Sequence, residues 1–325
     1  MKKLLMVLFV AFLVLGFAAC NGDDTTETDE TTEQTTEATE FKVDGEFMAF
    51  EIGEHYGAPM ITSVTVTVED GEIVDYFIDA LQSDGETLEW NENTKKELGY
   101  DYKMHYNAYS ETDDTPTMAE YETWLDENDK LEWFEQAELI EEYWLENGFD
   151  SVDVVDGEID NVAGVTVSDG GYTTLAAEAV QQAKDGITKA YSVSVHYGAP
   201  QVVWATLDLD DNGDIEELVI DTLQSTVDEG TFAWNDNTKQ ELGYDYKMHY
   251  GTYSETDDTP TMAEYETWLE DNDKLEWFEQ VNMITDYIEE NGWESSFNVQ
   301  DSVAGVTVTT NAYETVLEAV FAKVE

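Results

Sequence analysis

The chain of 325 residues has no arginine, one cysteine and four prolines. All 13 of its basic residues are lysines, against 75 Asp and Glu, for a formal net charge of -62. Without guanidinium forks it cannot clamp phosphates or guanine edges bidentately, and a surface of this sign repels nucleic-acid backbones and anionic lipid headgroups. The sequence therefore excludes nucleic acid as a partner. The lone Cys20 rules out an internal disulfide and a cysteine-based metal cluster. Gly-x-Ser-x-Gly, His-Glu-x-x-His and a phosphate-binding glycine loop are all missing, so hydrolase readings have no anchor. Aromatic rings are plentiful: 9 Trp, 18 Tyr and 13 Phe within a hydrophobic fraction of 42% are enough to build cores. The acidity describes the surface of a folded protein.

The amino terminus reads as an export address. Met1-Lys2-Lys3 is a short positive region, Leu4 to Ala19 carries no ionisable group, and Cys20 follows directly. Residues 1–19 are too short to span a bilayer comfortably and read as a signal peptide. Leu15-Gly16-Phe17-Ala18-Ala19-Cys20 resembles a bacterial lipobox, with Phe17 where leucine is usual, which implies lipidation of Cys20 and residence at the extracellular face of the cell membrane. Residues 20–40 form a tether after that anchor: of positions 21–40, eight are Thr and eight are Asp or Glu. Such a segment cannot pack a core and spans roughly 25 Å as a flexible chain.

The remainder is written twice. Glu97 to Tyr106 recurs unchanged at Glu241 to Tyr250, Tyr109 to Leu125 at Tyr253 to Leu269, and His55-Tyr56-Gly57-Ala58-Pro59 at His196 to Pro200. Val162-Ala163-Gly164-Val165-Thr166-Val167 returns at Val303 to Val308, so the offset drifts between 141 and 144. A period this long is a tandem domain duplication, with domains at residues 41–187 and 188–325.

Within each repeat the period changes. Ile61 to Val68 alternates Thr/Ser with Ile/Val, Glu69-Asp70-Gly71-Glu72 is a turn, and Ile73 to Ile78 is the returning strand, which predicts a sheet with one buried face. Thr117-Met118-Ala119-Glu120 has capping-box spacing. Leu131, Phe134, Ala137, Ile140 and Trp144 step along one helix face until Asn147-Gly148. Val162 to Val167 reads as a short strand or strand-edge turn, and Thr173 to Ala183 as a closing amphipathic helix. Each repeat is therefore α+β, a small antiparallel sheet covered by helices. The apolar helix faces suggest a non-polar contact between the two.

Asn93 to Met104, Glu132-Trp133-Phe134-Glu135-Gln136 and Asp160-Asn161-Val162-Ala163-Gly164-Val165-Thr166 carry a further resemblance. Together with the strand-turn-strand before them, they look like the FMN-binding domain of secreted bacterial flavoproteins. Two such domains behind a lipobox resemble the flavinylated lipoproteins of Gram-positive bacteria used in extracellular electron transfer. The resemblance implies covalent FMN on the last hydroxyl of the motif, here Thr166 and Thr307, with Asp160, Gly164, Asp301 and Gly305 as motif residues. Ala163 and Ala304 stand where the family has Ser or Thr, and Val165 and Val306 where it has Ala. It further implies a flavin transferase and a membrane quinone-linked oxidoreductase as partners, and a redox carrier more than an enzyme. The alternative is a solute- or polymer-binding surface lipoprotein on the same fold without covalent flavin.

The residues speak to this independently. FMN carries a dianionic phosphate that a chain without arginine meets poorly, and a covalent bond removes that affinity problem. Glycine before Val-Thr suits a turn that exposes the hydroxyl. Flat walls for an isoalloxazine ring are available in Trp90, Tyr100, Tyr102 and Tyr106, repeated as Trp234, Tyr244, Tyr246 and Tyr250. The resemblance prefers Tyr102, Lys103 and Met104, with Tyr246, Lys247 and Met248, as contacts, because the family motif places them together; the lysines are candidates to pair with the phosphate or polarise the ring. His55, His105, His196 and His249 read as structural hydrogen-bonding groups. Asp208 to Glu216 has acidic residues at EF-hand spacing, but Val219 occupies the place of the bidentate Glu, so a hairpin turn is expected and no metal.

Overall fold

The computed structural model describes residues 40–110, 117–228, 231–254 and 261–324. The expected signal peptide, Cys20 and the tether up to residue 39 lie outside the described residues. The first repeat runs β1 (Gly45–His55), β2 (Ala58–Glu69), β3 (Glu72–Gln82), α1 (Lys95–Leu98), α2 (Tyr106–Ser110), α3 (Met118–Glu127), α4 (Trp133–Asn147), β4 (Val154–Val155), β5 (Glu158–Ile159) and α5 (Tyr172–Asp185). The second runs β6 (Ile187–His196), β7 (Ala199–Leu209), β8 (Ile215–Asp228), β9 (Thr231–Trp234), α6 (Lys239–Leu242), α7 (Tyr250–Tyr253), α8 (Met262–Asp271), α9 (Trp277–Asn291), α10 (Val299–Ser302) and α11 (Asn311–Phe321). The fold is α+β. The described residues all belong to one compact unit.

Two antiparallel sheets, ordered β1-β2-β3 and β6-β7-β8-β9, carry the repeats. The β1–β2 register runs from Gly45↔Val68 to His55↔Ala58, and β6–β7 from Ile187↔Asp208 to His196↔Ala199. Both hairpins close through Tyr-Gly pairs with positive φ, 51° and 80° at Tyr56-Gly57 and 51° and 82° at Tyr197-Gly198. Two successive left-handed residues match the twist of the flanking strands. The tyrosine of each tip stands in solvent.

The inner faces pack on helices. Phe47, Ala49, Val64, Val66 and Ile78 meet Ile140 and Trp144 of α4 and Ala176, Ala179 and Val180 of α5. Val203, Ala205, Leu207 and Ile220 meet Val281, Ile284 and Ile288 of α9 and Val316, Leu317 and Val320 of α11. The helix starts follow from their sequences: Thr94, Thr117, Thr238 and Thr261 each make a full capping box with a glutamate three residues on. Gly186 ends α5 at φ 74°, and a Cβ there would sit 2.6 Å from the Leu209 carbonyl, so only glycine lets the chain turn from one repeat into the next.

The outer faces depart from expectation. Ile61, Ser63 and Thr65 of β2 are buried although the alternation marks a solvent side. The other repeat covers them: Phe50 lies 5.3 Å from the Tyr191 ring and 6.2 Å from Trp204, Tyr191 hydrogen-bonds Ser63, and Thr188 Oγ1 donates to the Glu46 carbonyl at 2.6 Å. Lys323 closes the seam on Glu46 at 3.0 Å. The contact between repeats is thus made chiefly by sheet faces, to which α5 adds an ion pair from Glu178 to Lys189 at 3.0 Å. Small hydroxyl residues suit both a wet surface and a covered seam with aromatic partners, which is why the pattern alone misleads.

Candidate functional site

The Thr166 and Thr307 turns are held by one side chain each. Gln136, on the first turn of α4 and 1% exposed, donates from Nε2 to the Leu131 carbonyl at 2.9 Å, which fixes its amide so that Oε1 faces the turn. That oxygen accepts from Thr166 N (2.6 Å), Thr166 Oγ1 (3.2 Å) and Val167 N (3.0 Å). Gln280 repeats the set with Thr307 N (2.6 Å), Thr307 Oγ1 (3.1 Å) and Val308 N (3.2 Å). Both threonines remain exposed, so their hydroxyls are oriented yet reachable. The segment is a turn and not a strand, with Val165 N bonding the Val162 carbonyl at 3.3 Å. Gly164 and Gly305 have φ of 90° and 96°, as the sequence predicts for a glycine-dependent turn; a Cβ on Gly164 would meet Leu139 Cδ1 at 3.1 Å.

A cavity of about 480 Å3 opens beside Thr307. Its walls include Tyr246, Met248, Trp277 and Tyr313, and Lys239 enters from the start of α6. Lys239 is 7% exposed, its Nζ 4.8 Å from the Tyr246 ring centroid and 5.2 Å from that of Trp277. Lys95 stands identically over Tyr102 (5.0 Å) and Trp133 (5.2 Å). Among the described residues neither ammonium has a carboxylate within 4.0 Å; stacking on two aromatic faces replaces an ion pair. Burial pulls both lysines from 10.5 down to about 8, with Asp79 and Asp221 opposing only in part. The ring wall is ordered from behind: Trp277 Nε1 donates to Tyr313 Oη at 2.7 Å and Trp133 Nε1 to Tyr172 Oη at 3.1 Å. Burial pushes Tyr102 and Tyr313 up to about 12, keeping both phenols neutral.

The stretch carrying Met104 and Met248 is pinned by a buried glutamate. Glu132, 0% exposed, accepts Met104 N at 3.1 Å and the Tyr121 hydroxyl, while Tyr121 Oη accepts His105 N at 3.1 Å. Glu276 and Tyr265 repeat this around Met248 and His249. His105 and His249 sit 3.0 Å from the Leu131 and Leu275 carbonyls in structural pairs.

Among the residues singled out from sequence, Thr307, Tyr246 and Met248 share the cavity. The lysines singled out from sequence, Lys103 and Lys247, are not the ones buried against the rings. Lys103 and Lys247 take left-handed backbone, φ 54° and 53°, after a 3-10 turn, and Lys247 Nζ lies 4.0 Å from the exposed Asp245 carboxylate. The buried cations are Lys95 and Lys239. Asp160 and Asp301 are exposed, Asp160 after β5 and Asp301 within α10, so their backbone settings differ. Tyr100 and Tyr244 bond Glu135 and Glu279 at 3.0 Å, Tyr106 and Tyr250 are exposed, and the indole N–H groups of Trp90 and Trp234 bond backbone carbonyls of the opposite repeat. Trp133, Trp277, Tyr172, Tyr313, Gln136 and Gln280 were missed. Comparing the repeats offers a signal for the lysine: Asn93-Thr94-Lys95-Lys96 returns as Asn237-Thr238-Lys239-Gln240, keeping only the first. The Asp208 to Glu216 segment forms the expected β7–β8 turn, where Asp210 Oδ1 accepts Asn212 N at 2.8 Å and Asp214 N at 2.9 Å.

No protein family, curated protein or solved structure matches the chain. The donor set fits an anionic, flat, electron-accepting ligand: aromatic walls, one desolvated cation, an exposed hydroxyl at the rim, and a volume within the range of small-ligand pockets.

Proposed function

We propose that the protein is a lipid-anchored extracellular electron carrier bearing FMN on Thr166 and Thr307, one flavin per repeat. The observation that carries this reading is the Thr307 cavity, where a buried ammonium and a flat ring wall lie next to a threonine whose hydroxyl is oriented by its bond to Gln280. A flavin transferase would join each threonine oxygen to the flavin's phosphorus by displacing the nucleotide monophosphate of a dinucleotide flavin donor, the hydroxyl giving up its proton, and a membrane quinone-linked oxidoreductase would supply electrons. When bound, FMN supplies the redox chemistry, which belongs to the cofactor. Lys95 and Lys239 would hold positive charge beside a bound flavin, and their burial among aromatic rings would strengthen its effect. Trp133 and Trp277 keep the ring slot open because Tyr172 and Tyr313 fix their planes. The Cys20 anchor and the tether hold the pair outside the membrane; among the described residues no helix is long and apolar enough to cross one.

Ala163 and Ala304 favour the other reading, a surface binding lipoprotein without covalent flavin. Intact mass and in-gel flavin fluorescence decide between them, on the mature protein co-expressed with the host's flavin transferase and alongside Thr166→Ala and Thr307→Ala. Two FMN adducts in wild type, with one lost per substitution, support the carrier. No adduct beside a demonstrably active transferase rejects covalent flavin.

A further inference from the structure

The two repeats reach across the seam to each other's site. Trp90 Nε1 donates to the Ser194 carbonyl at 3.2 Å and Trp234 Nε1 to the Gly53 carbonyl at 3.0 Å. Positions 53 and 194 are equivalent, each two residues before the histidine that ends the strand, so the exchange is reciprocal. The two indoles lie 6.5 Å apart at 31°. Each is anchored at home, Trp90 by its bridge to Ser83 and Trp234 in β9 opposite Ser225. β1 and β6 are edge strands, whose outward carbonyls need partners from elsewhere. Ser194, Val195 and His196, at the end of β6, also line the Thr307 cavity.

We infer that Trp90 and Trp234 are positioning residues that act in trans: Trp90 holds the strand end that borders the Thr307 cavity, and Trp234 holds the equivalent strand end of the first repeat, so that the two repeats form a coupled pair. The consequence for ligand binding rests on the FMN reading; the brace itself does not. Damage to the first repeat should therefore appear in the second. A tryptophan that only filled its own core would do the reverse.

Trp90→Phe keeps a ring and removes the N–H donor. In the full ligand-free protein, amide hydrogen exchange over residues 192–197 should rise several-fold while residues 51–56 stay unchanged, and Trp234→Phe should give the mirror image. His196 supplies a spectroscopic readout, since burial and the Lys239 charge hold its imidazole below the ordinary value. In Trp90→Phe its NMR titration should move back up while that of His55 stays fixed. On adding FMN as the probe, the affinity reported by the His196 shift should fall about fivefold, the scale of one lost hydrogen bond. Changes confined to the mutated repeat, shared equally, or absent would overturn the inference. If wild type does not bind FMN in the Thr307 cavity, the flavin reading falls while the ligand-free measurements still decide the brace.

Discussion

Replacing Lys239 with methionine should stabilise the protein at neutral pH. The side chain is of similar length, so packing against Tyr246 and Trp277 survives while the buried charge goes. In the folded chain the ammonium loses its proton near 8 and in the unfolded chain near 10.5. A gap of that size corresponds to about 3 kcal/mol of penalty on the folded state at pH 7, at 1.36 kcal/mol per unit. Lost cation–π attraction returns ~0.5–2 kcal/mol of that, leaving a net gain of roughly 1–3 kcal/mol against a typical total of 5–15. The sign with pH is the sharper test. Because the folded value lies below the unfolded one, the unfolded chain binds more protons between them, and wild-type stability regains the penalty as pH rises from 8 to 10.5. Methionine has nothing to titrate, so its advantage should shrink through that window and be gone above it. Tyrosines titrate in both proteins and cancel in the difference. Urea unfolding of wild type, Lys239→Met and Lys95→Met at pH 7, 9 and 10.5 measures this, and a difference independent of pH, or a destabilised variant at pH 7, would refute it. The same substitution should weaken FMN binding, since a residue kept at a cost to stability is the mark of a working site.

Two other outcomes follow from single contacts. Gly305→Ala forces a side chain into φ 96° and should cost about 1–3 kcal/mol by thermal unfolding, with Gly164→Ala at the upper end because Leu139 crowds it at 3.1 Å. In the first repeat Lys96 bonds Glu141 at 2.7 Å, both only about a tenth exposed, whereas the second has Gln240 and Thr285 at these positions. Lys96→Gln alone should cost about 3–5 kcal/mol by leaving a carboxylate buried and unpaired, and adding Glu141→Thr should recover part of it; a double variant less stable than the single would contradict this.

The strands, turns and capped helices were legible because their signals are local. Thr117 with Glu120 and Asn147 with Gly148 mark helix ends through groups that lie within one turn of each other. The outer face of β2 was not legible, because what covers Ser63 and Thr65 comes from Tyr191 and its neighbours more than a hundred residues away. The site split along the same line. Gly164, Thr166 and Met104 sit in short segments whose backbone betrays them. Lys95 looked like one of two adjacent surface cations, and only the aromatic faces of Tyr102 and Trp133, brought up by other elements, show which is buried. Gln136 gave no hint, since nothing in a helical glutamine announces that its oxygen takes three hydrogen bonds from a turn 30 residues later.

The seam between the sheets decides what the chain can lose. The outer face of each sheet has the other repeat as its cover, and each tryptophan finds its acceptor on the opposite strand, so neither repeat is a spare part. Deleting one would strip Ile61 or its counterparts bare and leave an edge strand open to any passing chain. Either repeat made alone should therefore fail to fold as it does in the full chain, because half of what shields its sheet lies in the other.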